Sequence, residues 1–210
     1  SLVMMDAPGS VALATLLALL PVGPLVGCLL WLDRYEPEPR HLLASAVAWG
    51  ALVATSLALV PQLLLSQHLP ELTQLAVVAP VTEEATKGLF LLLLLWRRRA
   101  ELDGVLDGVV YAGMVGIGFA FVENILYLAA AYDGTDGLGH GGVGALTGTF
   151  LIRCLVSPFA HPLFTAFFGI GVGIAVGSRS AGGRFLALCT GYGMAVLTHM
   201  LWNSSALGLT

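Results

Sequence analysis

The chain has 210 residues, of which 57% are hydrophobic and 10% charged, and its formal net charge is −4. A soluble domain carries about a quarter charged residues, so this composition excludes an ordinary soluble enzyme, and the acidic balance argues against a nucleic-acid partner. With a mean hydropathy of +0.88, the expectation is an all-α polytopic membrane helix bundle forming one domain over residues 1–210 in contact with the lipid bilayer.

Apolar runs long enough to cross a hydrocarbon core of about 30 Å occupy residues 10–32, 41–65, 72–96, 107–131, 148–178 and 185–208. The first contains Pro21, Gly23 and Pro24 and is expected to kink. A polar, proline-bearing link follows, Asp33-Arg34-Tyr35-Glu36-Pro37-Glu38-Pro39-Arg40. The third run opens with Glu83, Glu84 and Lys87 and closes on Arg97, Arg98 and Arg99. The fourth carries Glu123 and Asn124. The fifth holds Arg153, Pro158, His161, Pro162 and Thr165, and is too long for one simple crossing. It is expected to break, so seven crossings compete with six. Gly169, Gly173 and Gly177 repeat every four residues there, a ridge that lets helices approach closely in lipid. The last run carries His199 and Asn203.

Charge placement favours six crossings. Of the nine basic residues, Arg34, Arg40, Arg97, Arg98, Arg99, Arg179 and Arg184 lie in links that six spans put on one face. The positive-inside rule makes that face cytoplasmic and both termini extracytoplasmic. Cys28, Cys154 and Cys189 stand apart with no CxxC, and read as small packing residues.

Ionisable residues at membrane depth are expensive and call for partners. Helical rise sets their heights above the arginine-bearing ends. Glu83 lies about 21 Å above Arg97, and Glu123 about 24 Å above Asp107. His161 lies about 27 Å above Arg179, and His199 about 22 Å above Arg184. Four helices thus bring acids and imidazoles to one level in the outer half of the membrane, the mark of a single polar site. Lys87 is spaced to neutralise either Glu83 or Glu84. His199 shares a helix face with Asn203, as His161 does with Thr165. A lone His or Asn in such a span is ordinarily interhelical glue, and Arg153 is expected to be interfacial or paired with a carboxylate. Together, carboxylates and imidazoles can activate water and stabilise an oxyanion. They can equally hold a divalent metal such as zinc. The spacing does not choose between these. No HExxH or GxSxG is present. Asp133 falls in a predicted loop without the GxGD of an intramembrane aspartyl pair.

These residues together resemble the PrsW family of intramembrane proteases, within the superfamily that includes the type II CAAX prenyl endopeptidases. The likeness runs from about residue 30 to 205. It is carried by the Asp33–Pro39 link, Glu83-Glu84-Ala85-Thr86-Lys87 as EExxK, and Phe119 to Glu123 as FxxxE followed by Asn124. His161 with Thr165, and His199 to Asn203, complete it. The resemblance implies an endopeptidase that cuts membrane-anchored proteins, with an anti-sigma factor cut first on its extracytoplasmic side as the family's known case. By similarity Glu83 is the general base, Glu84 pairs with Lys87, and His199 with Asn203 holds the oxyanion. Asn124 and Arg153 are supporting residues. The CAAX enzymes have histidine where this chain has Glu123 and arginine where it has Lys87. Glutamate is a poorer oxyanion donor and a better metal ligand. The candidate ligands are therefore Glu83 or Glu84, with Glu123, His161 and His199. A transporter relaying protons and a non-catalytic scaffold binding partner spans are the competing classes.

Overall fold

The computed structural model describes residues 8–135 and 140–207, which are helical throughout apart from short links. Six long helical segments follow one another: α1 (Gly9–Tyr35), α2 (Arg40–Leu65), α3 (Ala79–Arg97), α4 (Val105–Asp133), α5 (Val143–Gly177) and α6 (Ala181–Ser205). All but α3 are long and apolar enough to cross a membrane. The 19 residues of α3 include Glu83, Glu84 and Lys87, which interrupt its apolar character. The bundle is all-α, as expected, and each segment overlaps one of the six apolar runs.

Departures from regular helix occur where the sequence signals them. α1 turns at Leu20 and Pro21, ahead of its second half Val22–Leu32. α2 widens into a π turn over Trp49–Ala54, and a similar turn, Gln74–Val78, leads into α3. Such turns shift the register of side chains and are frequent at functional sites. α5 is the broken span. Its opening Val143–Phe150 and the π turn Leu151–Val156, eight and six residues long, end at Ser157–Phe159 before Ala160–Gly177 resumes. Fourteen residues reach only about 21 Å, short of a full crossing, so the helix lengths favour six crossings over seven.

α4 is the central helix. It is apolar on all sides, and a helix of that kind belongs inside. It packs against α1, α2, α3 and α5, while α6 lies against α5 and α3. Tyr111, Met114, Val115 and Ile117 of α4 form the main core with Leu91 of α3 and Val172 of α5. Its start is fastened by Asp107, whose Oδ2 accepts the backbone N–H groups of Asp103 and Gly104 at 2.9 and 2.8 Å. Its end is set by Gly134, at φ 69°, a left-handed conformation that favours glycine. Asp133 therefore closes α4 instead of lying in a loop, and its Oδ2 accepts the Ser10 hydroxyl at 3.0 Å.

Glycine contacts fix how the helices rotate against α4. A Cβ on Gly169 would fall 2.1 Å from the Gly108 carbonyl oxygen, and one on Gly173 would fall 2.4 Å from Cα of Val105. The expected ridge is real at those two positions and stops there, because Gly177 has nothing within 4 Å. On the other side, a Cβ on Gly50 would meet the Val115 carbonyl oxygen at 2.0 Å. Of the cysteines, Cys154 is buried as a packing residue, whereas Cys28 and Cys189 are exposed on the bundle's outer surface.

Candidate active site

α3, α4, α5 and α6 bring their polar residues together inside the bundle. Glu83, Glu84, Lys87, His161, Thr165 and His199 are all buried, with Glu84 and Lys87 fully so. The Lys87 ammonium lies at the centre. It donates to Glu84 Oε1 at 2.9 Å and to His161 Nδ1 at 3.0 Å. It stands 3.7 Å from Glu83 Oε2 and 3.9 Å from the centre of the Phe119 ring, a cation–π contact.

Glu84 has its acceptors filled. Oε1 also faces His199 Nδ1 at 3.0 Å, and Oε2 accepts the Thr165 hydroxyl at 2.9 Å. Glu83 is left incomplete. Its Oε1 accepts the Gln62 amide at 3.2 Å, while its Oε2 is buried with no hydrogen-bond partner among the described residues. That orphan oxygen lies 3.8 Å from His199 Nε2.

The hydrogen bonds fix the proton positions. An ammonium can only donate, so Lys87 makes His161 Nδ1 an acceptor and leaves Nε2–H to donate to Glu123 Oε2 at 2.6 Å. His199 donates through Nδ1 to Glu84, so in its neutral form Nε2 keeps a lone pair on the side of Glu83. Glu123 is also bound by the Arg153 guanidinium, whose Nε donates to Asn124 Oδ1 at 2.8 Å and whose plane covers Tyr127 at 4.1 Å. Arg153 is thus paired with a carboxylate, the second of the two arrangements expected for it. Phe164 stacks on His199 at 4.8 Å and holds the ring in place.

Asn203 is directed elsewhere. Its amide donates to the Leu75 carbonyl at 2.9 Å, securing α6 to the π turn before α3. Three of the candidate ligands come together. Glu83, His161 and His199 each offer one donor atom, and the three atoms lie within 4.8 Å of one another. Glu84 and Glu123 stand outside this group: both Glu84 oxygens are engaged by Lys87, His199 and Thr165, and Glu123 Oε2 by Arg153 and His161. A carboxylate with two imidazoles is a familiar donor set for a catalytic zinc, which keeps one position open. The unpartnered Glu83 Oε2 and the free lone pair of His199 suit such an ion. His161 would join them by releasing Lys87 or Glu123.

Sequence reasoning passed over Gln62, the amide that holds Glu83. It is a polar residue in an apolar run, next to Pro61, at the same end of α2 as the start of α3, and that pattern was the available signal. Phe119 and Phe164 carry no such signal, since aromatic residues in a span read as core.

The break in α5 opens a narrow slot to this cluster, lined by Asn124, Arg153, Ser157, Pro158, His161 and Trp202. Its volume is about 10 Å³, near the room that one water needs.

The chain is thus a polytopic membrane helix bundle whose spans bury a cluster of carboxylates, imidazoles and an ammonium. The chain is a member of the PrsW family of intramembrane metalloproteases, whose family model matches residues 38–209. It is 28% identical to Protease PrsW of Geobacillus kaustophilus (strain HTA426) over 145 residues, which are 68% of this chain and 58% of that protein. With Protease PrsW of Bacillus subtilis (strain 168) it shares 27% over 145 residues, covering 68% and 60%. With that of Clostridioides difficile (strain 630) it shares 32% over 121 residues, covering 54% and 49%. These matches span less than two thirds of the relatives' own length. No solved structure matches the chain.

Proposed function

We propose that this chain is an intramembrane endopeptidase that hydrolyses peptide bonds of membrane-anchored proteins, as one transmembrane protease domain. One observation carries the reading: Glu83 Oε2 is buried, makes no hydrogen bond among the described residues, and lies 3.7 Å from the Lys87 ammonium and 3.8 Å from His199 Nε2, where it can accept the proton of a water. A buried carboxylate oxygen without a hydrogen bond costs about 1–3 kcal/mol in a protein with no use for it.

In this reading Glu83 takes the proton of the attacking water and later returns it to the leaving amine. Glu84 holds His199 in one tautomer and orientation through Nδ1, so that Nε2 points at the reacting centre. Lys87 neutralises Glu84 and keeps the two adjacent carboxylates from repelling each other. Arg153 and Lys87 supply positive charge near the carbonyl oxygen as it becomes anionic. A metal held by Glu83, His161 and His199 would polarise the carbonyl and acidify bound water. The identity of that ion, zinc foremost, belongs to the proposal, as does the metal itself.

The finer reading places the cut in the outer half of the membrane, on an anti-sigma-factor-like substrate. It rests on arginine placement and on the family resemblance. The test is cleavage of a single-span reporter by the full chain in proteoliposomes. Wild type is expected to cut within or near the span, and Glu83→Gln to be inert at unchanged thermal stability. Undiminished cleavage by that variant rejects the assignment.

A further inference from the structure

The link Asp33–Arg40 takes no part in the cluster around Glu83. It borders a different cavity, of about 430 Å³, among α1, α2 and α4. The cavity wall is apolar, built from Val26 and Leu30 of α1, Leu43 and Val47 of α2, and Met114 of α4. Its polar residues are two acids and two arginines: Asp33, Glu38, Arg34 and Arg40. These lie where α1 ends and α2 begins, at the arginine-bearing end of the bundle. An apolar pocket of this size with a few convergent polar groups is the usual form of a small-molecule site.

The acids lack cationic partners. Asp33 is 3% exposed; its Oδ2 accepts the Glu38 backbone N–H at 2.9 Å, while its Oδ1 is buried with no partner among the described residues. Glu38 accepts only the Tyr111 hydroxyl, at 2.7 Å, and burial pushes its carboxyl up to about 7. Among the described residues the arginines have no anionic partners. Arg34 stacks on Trp31 and Tyr35, each at 4.1 Å, and donates to the Trp31 carbonyl and the Tyr35 hydroxyl. A guanidinium has five N–H groups, so most of its donors are unused. Arg40 is exposed and forms no ion pair among the described residues.

We propose that this cavity binds an aminophospholipid of the phosphatidylethanolamine type. One acyl chain lies along the apolar wall, the phosphate meets Arg34 and Arg40, and the primary ammonium donates to Asp33 and Glu38. Charge complementarity selects this headgroup. A phosphatidylglycerol headgroup would satisfy the arginines but offers Asp33 and Glu38 only neutral hydroxyl donors, weaker than an ammonium, and leaves the two acids uncompensated in charge. A choline headgroup carries a positive charge but no N–H. The occupant comes from the bilayer and not from free phosphate, because the apolar wall reaches the outer surface at Leu30, which is 44% exposed. The site is separate from the proposed catalytic cluster and does not depend on its chemistry.

The test uses the purified full chain, delipidated in mild detergent and offered equal amounts of phosphatidylethanolamine, phosphatidylglycerol and phosphatidylcholine. Retention is read by native mass spectrometry. Phosphatidylethanolamine is expected to be retained roughly tenfold over phosphatidylcholine, as befits charge-assisted hydrogen bonds. Asp33→Asn is expected to erase that preference, and Arg40→Ala to lower retention of all three lipids. Should Asp33→Asn fail to fold, Glu38→Gln provides the same readout, and wild-type selectivity decides by itself. Equal retention of the ethanolamine and choline lipids, a preference for phosphatidylglycerol, or no retained lipid overturns the proposal.

Discussion

Two regions of this molecule hold carboxylates inside an apolar bundle, and they neutralise them by different means. Around Glu83 and Glu84 the partners are charged or titratable side chains from other turns and helices: Lys87, His161, His199 and, through Glu123, Arg153. At the arginine-bearing end, Asp33, Glu38 and Asp107 are met by backbone N–H groups and a phenol. The second arrangement fastens helix ends, because its backbone donors belong to the local chain, and Tyr111 of α4 ties Glu38 to the bundle. The first joins four helices; each region leaves one carboxylate oxygen without a hydrogen bond among the described residues, Glu83 Oε2 in the first and Asp33 Oδ1 in the second. What differs is the neighbours: imidazoles and an ammonium surround Glu83, as the proposed chemistry requires.

The contrast can be broken most forcefully at Glu83. Glu83→Gln keeps the shape and the Gln62 contact but removes the acceptor, so cleavage of a single-span substrate should fall by about 10²–10⁴, read as initial rate in proteoliposomes. Lys87→Met comes next. It strips the central cation from Glu84 and His161, and breaking a buried ion pair costs about 3–5 kcal/mol. Denaturant unfolding should report a loss of that order, whereas the same change at exposed Arg99 should be nearly silent.

Glu84→Gln sharpens the comparison further. It replaces the charged acceptor that orients His199 with a neutral amide oxygen, and weakening such a supporting bond lowers metal affinity by about 10–100-fold. Competition of the loaded protein against a chelator measures this without reference to activity. Unchanged affinity would place the ion elsewhere or leave His199 out of its shell.

The smallest effect belongs to the other region. The Glu38 carboxyl is raised to about 7 by burial, against an ordinary 4.5. Its protonated form is therefore favoured in the folded state. Its contribution to stability is complete below about pH 4.5 and declines as pH rises through about 7. Glu38→Gln should flatten that decline in thermal scans between those pH values, leaving cleavage by the Glu83 cluster unchanged.

The spans were legible because hydropathy and helical rise are local properties. The runs 41–65 and 107–131 fall within α2 and α4, and Pro21 and Pro158 mark the turn in α1 and the break in α5. The shared level of Glu83, Glu123, His161 and His199 was legible for the same reason. Contacts that depend on rotation about a helix axis were not legible. Gly177 continues the spacing of Gly169 and Gly173 but lies past the contact with α4. The Asn203 amide meets the Leu75 carbonyl of the π turn before α3, a partner its spacing does not reveal. Gln62 went unnoticed because a single amide near the end of a span has no chemistry until Glu83 is placed beside it.

Sequence alone determined that this is a membrane helix bundle with acids and imidazoles at one depth, because each residue advances a helix by a set rise and each buried charge demands company. Only the tertiary structure decided which partners meet. Glycine contacts between α4, α5 and α2 set the rotations that commit Glu84 and Glu123 to other side chains and leave Glu83 facing His199. Height is written into one helix at a time, whereas facing is a property of the packed pair.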